Sequence, residues 1–387
     1  MDLRNLPSDL SADERVHERC VRIEQALGID LSNLAIGAKQ IGTADEQNCE
    51  QMFGAVPVPV GLVGPLKISF SSGEERMVYV PLSTTEGALV ASINRGCKAL
   101  TELGGAHVTS KYVGITRSIA FAVEDAEAIS VKIRELEDAW KKVAEAMSGH
   151  LKILSHDIDS SDGVLFLTIA ADTDEAMGMN MITIAAQAVG EFLAKELGIQ
   201  MLTVAGNVDS DKKPSLRTKT RGRGYSISVE ADITEEIIKK VLKTSSQAIL
   251  KTAHAKLEVG SKLAGALGKN LHVANTIAAL YLAIGQDIAH VVEGSLSDTV
   301  VKKHQKGIQI SVNLSAVLVG VRGGGTNLPA QKQCLDLLLK EKTTLRPSIQ
   351  LAETVGAVVL AGELSLLAAQ SAHTLAKAHK KLGRIKK

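Results

Sequence analysis

The spacing of polar and apolar positions changes period several times along the chain, and each change predicts an element. Residues 1–40 are polar with helical spacing. Ser11 followed by Glu14 carries the signature of a capping box, opening a helix over Asp13–Leu27. The segment AVPVPVGLVGPL at 55–66 has three prolines with glycines between them and reads as extended, turning chain. Residues 83–101 return to helical spacing. β-Branched residues crowd 106–123 and predict strands. The charged stretch 124–147 predicts a helix with one solvated face, 163–170 a buried strand, 181–197 a helix stopped by Gly198, and 200–205 a short strand. Strand, helix, strand, helix, strand over 118–204 describes a small α+β unit with helices on one face of a sheet. After a Lys/Arg/Gly-rich stretch at 211–224 come a strand at 225–230 and alanine-rich helices at 234–267, 270–293 and 351–382. The expected fold class is α+β. A helical large domain, 41–117 and 216–387, is interrupted by a small inserted domain at 118–204, with an N-terminal helical segment at 1–40 and a connecting loop at 205–215.

Composition narrows the function. The 387 residues hold 44 Lys+Arg against 43 Asp+Glu, so a polyelectrolyte partner is not expected. Aromatics are 3%, which leaves an aliphatic core and no base-stacking platform for nucleic acid. Cys20, Cys49, Cys97 and Cys334 form no C-x-x-C pair, arguing against a zinc cluster or a disulfide framework and for a reducing compartment. The first residues lack an apolar signal core, and no stretch of 18 uninterrupted apolar residues occurs. The expectation is a soluble cytoplasmic protein with no membrane, nucleic-acid or metal partner.

Several short motifs could carry chemistry. Ser83-Thr84-Thr85-Glu86 is either a second capping box or a helix-start carboxyl placed for general acid–base work. Ser92, Asn94, Arg95 and Lys98 farther along that helix are phosphate donors or simply its wet face. Asp211-Lys212-Lys213-Pro214 is a charged loop or a lysine presented to an oxyanion. Arg217, Lys219, Arg221 and Arg223 extend its positive charge, but the stretch is short and has one aromatic, so RNA binding is a poor reading. Asp287 lies in the apolar run YLAIGQDIAHVV, read as one helix with Asn270, His272 and Asn275; a carboxylate there must be paired or functional. Gly320–Thr326 is a glycine-rich loop that lets backbone N–H groups approach a phosphate, yet it fits neither dinucleotide nor P-loop fingerprint. Met177-Gly178-Met179-Asn180-Met181 is unremarkable alone, and flexible methionines usually fill core gaps. His373 and His379 are six residues apart, on roughly opposite helix faces, which excludes a metal pair of the H-E-x-x-H kind.

In one order, the strings ENCEQMFGAVPVPVGLVGPL, TTEGALVASINRGCKAL, EAMGMNM, DKKP, HVAN…GQD, GGGTN and HTLAKAH resemble the 3-hydroxy-3-methylglutaryl-coenzyme A (HMG-CoA) reductase family over about 45–383. The chain looks most like the soluble catalytic portion of the class I form. The resemblance implies two successive hydride transfers from nicotinamide cofactors, giving mevalonate and free CoA. It implies a ferredoxin-like small domain that binds NADPH, or NADH, with 205–215 as the catalytic loop. The family's catalytic acid, lysine, aspartate and histidine fall on Glu86, Lys212, Asp287 and His379. Arg117, Lys213, Lys256 and Asn275 match substrate positions, and Ser92, Asn94, Arg95 and Lys98 match the CoA-facing helix. Ser148, Glu175, Met177, Gly178, Met179, Asn180, Arg322, Gly323, Gly324 and Gly325 match the cofactor site. A homodimer with shared active sites is implied, and no metal.

The chain departs from the family pattern at Glu175, Ala205 and Arg322, and at Gly149, where many NADPH-using members have arginine. Arg322 or Lys152 could replace that arginine at a 2′-phosphate; otherwise NADH use is expected. Three rival readings stand beside the reductase: a catalytically impaired CoA-binding homologue, an unrelated CoA-thioester hydrolase or acyltransferase, and a nucleic-acid binder using 211–224 and Lys380–Lys387.

Overall fold

A computed structural model describes residues 2–3 and 5–373. Their strands are β1 Val60–Ser69, β2 Glu75–Ser83, β3 Ala106–Ala122, β4 Lys152–Ser161, β5 Val164–Asp172, β6 Gln200–Thr203, β7 Gly224–Thr234, β8 Ser297–His304 and β9 Gly307–Val317. The path β2-β1-β3-β7-β9-β8 is antiparallel except where β1 meets β3 in parallel. β3 belongs to two sheets. His107–Gly114 pair with β7, whereas Ile115–Ala122 pair with β5, and Ala120–Ala122 also with β6. At the changeover Gly114 faces Gly224, with φ of +96° and +66°, a left-handed backbone that side-chain-bearing residues rarely adopt. The second group of strands has the order β4-β5-β3-β6, with helices Ala126–Glu135 and Glu137–Glu145 between β3 and β4 and Met179–Leu197 between β5 and β6.

Each group has its own aliphatic core. In the first, the helix Pro347–Ser371 lies against Leu89–Thr101 and Val273–Ile284 over β7 and β9. Leu351, Val355, Val358, Leu360 and Leu364 are fully buried there. This helix is apolar and long enough to cross a bilayer, but 94% of its most apolar window is covered by protein, so it is the core helix of this group. Its buried carboxylates are satisfied. Glu353 accepts from Ser71 N and Ser110 Oγ at 3.0 and 2.6 Å, and Glu363 from Leu271 N, His272 N and Thr299 Oγ1 at 2.9, 2.8 and 2.6 Å. Backbones touch at Gly96, where a Cβ would lie 1.9 Å from the Ala361 carbonyl oxygen. In the second core, Ile119, Phe121, Leu167, Ile182 and Val189 surround the single tryptophan, Trp140, whose indole N–H reaches the Ile133 carbonyl at 3.1 Å.

The capping box at Ser11 is present, with Glu14 accepting the Ser11 N–H at 2.8 Å, and the helix runs Ala12–Leu27. Gly198 ends the helix Met179–Leu197 in left-handed backbone, as expected. Other expectations need correction. The larger group is not simply helical, because six strands form its sheet. β4 and β8 were missed because they are edge-like strands rich in Lys, Asp, Ser and His, lacking the apolar run that marks a central strand. No capping box forms at Ser83, which stays paired in β2 with Val60; Thr84 Oγ1 takes the Glu86 N–H at 2.9 Å, and the helix starts at Leu89. The expected helix at 234–267 is broken into short α and π turns around Lys243, whose φ is +58°. The expected helix at 270–293 spans only Val273–Ile284, because Gly285 takes φ of +72°. Asp287 therefore stands in the break, not inside a helix. The C-terminal helix runs Pro347–Ser371, and the 374–382 part of the helix expected at 351–382 lies outside the described residues.

Candidate active site

The break after Ile284 creates the site. Asp287 caps a short turn, its Oδ1 accepting the Ala289 N–H at 3.1 Å, and its Oδ2 meets Lys212 Nζ at 2.7 Å. Partial burial pushes the Asp287 carboxyl up. The Lys212 hydrogen bond, the Ala289 N–H and the neighbouring positive charge outweigh this and hold it below the usual range. Lys212 comes from the loop between β6 and the helix Leu216–Arg221. That loop is strained: Asn207, Ser210 and Lys212 have φ of +63°, +56° and +56°.

Three glycine-rich segments converge on this pair. A cleft of about 670 Å³ is lined by Lys212 and Asp287, by Met177–Met181, and by Gly320 and Arg322–Thr326, with Arg117 at its wall. The segments touch backbone to backbone. A Cβ at Gly320 would lie 2.2 Å from Met177 N, and one at Gly285 would lie 2.2 Å from the Gly325 carbonyl oxygen. Gln286 locks the arrangement with a two-point amide pair, donating to Gly320 O and accepting from Gly320 N, each at 2.9 Å. Gly178 precedes the Met179–Leu197 helix with φ of +92° and no side-chain cap, and the first-turn residues Met179–Met181 line the cleft. At Gly323 and Gly324 a Cβ would meet nothing within 4 Å, so the loop leaves open space. Free N–H groups at a helix start beside a side-chain-free loop suit the pyrophosphate of a dinucleotide.

Behind the cleft lies a charged cluster. Arg223, 1% exposed, donates to Asp211 Oδ1 at 2.9 Å and Glu293 Oε1 at 2.8 Å. Arg117 donates to Thr183 Oγ1 at 3.0 Å and stands 3.5 Å from both Asp209 and Asp211. Burial pushes the Asp209 carboxyl up against the attraction of the two arginines. For Asp211 burial acts upward too, but Arg223, His290 and Arg117 prevail and lower it. Asp211, His290 and Glu293 could present metal ligands within 4.8 Å of one another, but Arg223 already bridges the two carboxylates.

Other expected site residues lie elsewhere. Glu86 is exposed on the loop before Leu89, and its carboxylate has no hydrogen-bond or ion-pair partner among the described residues. Asn94, Arg95 and Lys98 line a separate groove with Lys240 and Lys243. There Asn94 accepts the Gly64 N–H at 3.0 Å, and Ser92 and Arg95 bond Ser365 at 3.0 and 3.1 Å. Glu175 is buried away from the cleft opening, its Oε2 accepting Ser348 N at 2.8 Å at the start of the C-terminal helix. Ser148 accepts the His150 N–H at 3.2 Å outside the cleft. Lys213 Nζ bonds the Asp211 carbonyl at 3.0 Å. Lys256 is exposed on a π turn and Asn275 lies in the first turn of Val273–Ile284; neither lines the cleft. His379 lies outside the described residues. Sequence reasoning missed Gln286 and Glu293. Glu293 did leave a signal, as a lone carboxylate in the apolar run HVVEG.

Residues 15–384 match the family model for hydroxymethylglutaryl-coenzyme A reductase. The 3-hydroxy-3-methylglutaryl-coenzyme A reductase of Methanocaldococcus jannaschii is 42% identical, over 94% of this chain and 91% of its own. That of Methanothermobacter thermautotrophicus is 38% identical, over 99% and 96%. Among solved structures, the class II enzyme of Streptococcus pneumoniae bound to NADPH superposes with a TM-score of 0.71 at 18% identity, covering 91% of this chain and 86% of that one, a likeness of fold.

Proposed function

Because this chain belongs to the hydroxymethylglutaryl-coenzyme A reductase family, we propose that the cleft beside Lys212 and Asp287 is where its reaction takes place. The protein is an NAD(P)H-dependent oxidoreductase. It converts HMG-CoA to mevalonate and CoA, consuming two hydrides and two protons, a step of the mevalonate pathway. The observation that carries the site is the 2.7 Å Lys212–Asp287 pair, on the wall of a cleft that glycine backbone, a helix N-terminus and side chains such as Arg117, Leu282 and Leu328 also line.

Lys212 donates to the thioester oxygen as it becomes anionic, and again to the oxygen of the aldehyde. Asp287 aims the ammonium. Glu86 supplies a proton to the nascent alcohol. His379 protonates the departing thiolate, which would otherwise re-attack the aldehyde. By the family motif, Arg117, Lys213, Lys256 and Asn275 would hold the HMG part, Arg117 from the cleft wall and Lys256 and Asn275 from outside its lining, and the groove with Asn94, Arg95 and Lys98, next to Ser92, would take CoA. The nicotinamide supplies hydride when bound. Met177–Asn180, with Gly323–Gly325, would cradle its pyrophosphate and Arg322 would border the nucleotide from the cleft wall; Ser148 and Glu175, which match the family's cofactor site, would act from outside the cleft lining, Glu175 through its bond to Ser348 N. NADPH is the donor we assign. With Gly149 in place of arginine, Arg322 on the cleft wall, or Lys152, takes the 2′-phosphate, and NADH competes.

In domain terms, the strand order β4-β5-β3-β6 supports a ferredoxin-like cofactor unit at 118–204, inserted in the substrate-binding part formed by 41–117 and 216–387. Val56, Val60, Leu62, Met77 and Tyr79 are 41–77% exposed on and beside the β1–β2 hairpin, which supports a homodimer through that face. Four unpaired cysteines support a cytoplasmic setting. The cluster around Arg223 uses a guanidinium where a metal would otherwise sit, so no metal is assigned. The impaired-homologue reading is not favoured, since Lys212 and Asp287 are paired as the chemistry requires.

The test is absorbance at 340 nm with HMG-CoA and either nucleotide, for wild type and Lys212→Ala. About two cofactors oxidised per CoA released, with a dead mutant, supports the assignment. An active Lys212→Ala enzyme overturns the site.

A further inference from the structure

Lys212 is held at two points by one short stretch of chain. Asp287 takes its ammonium at 2.7 Å, and Glu293, six residues on, accepts its main-chain N–H at 2.6 Å. The second contact closes a ring. Glu293 Oε1 also accepts from Arg223 Nη1 at 2.8 Å, and Arg223 Nη1 donates to Asp211 Oδ1 at 2.9 Å. Asp211 joins Lys212 through the peptide whose N–H Glu293 holds. Glu293 is 0% exposed and does not line the cleft, so it touches neither substrate nor cofactor.

The ring has a mechanical consequence. Lys212 has φ of +56°, a conformation that a lysine keeps only where its surroundings impose it. A charge-assisted bond to a fully buried carboxylate is a strong way to impose it. Released, the Asp211–Lys212 peptide would relax and swing the lysine stem, while Asp287 stayed fixed on its own turn. We infer that Glu293 is a positioning residue for the reductase reaction, acting through the backbone of Lys212, with Arg223 as its counter-ion. This rests on the assignment of Lys212 as the oxyanion-binding residue.

Two variants separate positioning from simple charge balance. Glu293→Gln keeps an oxygen that can accept the Lys212 N–H but loses the charge that pairs Arg223. Glu293→Asp keeps the negative charge near Arg223, which retains Asp211 as a partner in both variants, but withdraws the carboxylate by one methylene. Purified proteins would be compared for kcat, for KM of HMG-CoA and NADPH, and for thermal unfolding. The expected result is a kcat lowered about 100-fold in Glu293→Asp and about 10-fold in Glu293→Gln, the cost of misplacing a reacting group. Both KM values should stay within about threefold of wild type, because ground-state binding is untouched. The inference is overturned if Glu293→Asp keeps wild-type kcat, if the two variants are equal, or if Glu293→Gln is the worse enzyme with a parallel loss of Tm. A Lys212→Ala control in the same assay tells the two failures apart: if it is active, the site assignment itself falls and the inference with it.

Discussion

Replacing Gly320 by alanine tests whether backbone contact between loops builds the cofactor cleft. The backbone at 320 is not left-handed, so a methyl group costs no torsional strain there and its effect is purely steric. The new Cβ would stand 2.2 Å from Met177 N, 2.7 Å from Ala176 C and 3.0 Å from Glu175 O. All three are main-chain atoms and cannot rotate away. Restoring ordinary contact requires the loops to part by more than about 1 Å. Overpacking of this kind costs about 1–3 kcal/mol. Hydrogen bonds stretched by the movement, among them Val321 N to Glu175 O at 2.8 Å and the Gln286–Gly320 pair, add about 1 kcal/mol each if lost. A central value is about 3 kcal/mol. At roughly 2.1 cal/mol/K per residue, 387 residues give an unfolding entropy of about 0.8 kcal/mol/K, so Tm should fall by about 4 °C. The cofactor KM should rise about tenfold or more, with that of HMG-CoA much less affected, because the displaced segments are Met177–Asn180 and Gly323–Gly325. Calorimetry and steady-state kinetics would be run beside Gly149→Ala, a control whose Cβ meets nothing within 4 Å. If Gly320→Ala matches wild type in Tm and cofactor KM, the loops do not pack as described and the argument fails.

Further outcomes follow from the same geometry. Glu86→Gln should lower kcat about 10²–10⁴-fold, the range for losing a general acid, with unfolding unchanged because the carboxylate has no partner among the described residues; an unaffected kcat would remove Glu86 from the mechanism. Asp287 is held below the usual carboxyl range, so its pairing with Lys212 stabilises the fold above the unfolded carboxyl pKa of about 4 and fades as pH falls through the lower folded value. Urea titrations of wild type and Lys212→Met should thus differ by a constant amount above about pH 5 and converge below about pH 4; divergence toward acid would contradict the sign. Gly149→Arg should raise the kcat/KM preference for NADPH over NADH about tenfold or more, the worth of one charge-assisted phosphate contact, and a flat ratio would place the 2′-phosphate elsewhere. Glu175→Ala should destabilise by about 1–2 kcal/mol through the lost cap of Pro347–Ser371, read as a lower urea midpoint.

Much of this protein is written locally. The Ser11 capping box, the Gly198 stop, the buried strand beginning near 164 and the motif strings that mark the family all depend on neighbours within a few residues, and short-range pattern suffices to read them. Gly285 was equally legible as a helix stop. It was overlooked because the surrounding run is apolar enough to pass for one continuous helix. The polar strands β4 and β8 were illegible for a different reason: they are defined by hydrogen bonds to β5 and β9, and nothing in their own composition demands a sheet.

The site divides the same way. Lys212, Asp287, Met177–Asn180 and Gly323–Gly325 could be nominated from the chain alone, because family chemistry requires those residue types in those strings. What brings them to one cleft is tertiary. The close approach of Gly320 to Met177, the Gln286 amide pair and the Arg223–Glu293–Asp211 ring each join residues far apart in sequence. Sequence alone thus determined which groups could do the chemistry and where helices could start or stop. Tertiary structure decided which of those groups meet, since a buried charge or an unpaired peptide is tolerated only where distant segments supply its partner, and no local pattern records that partner's address.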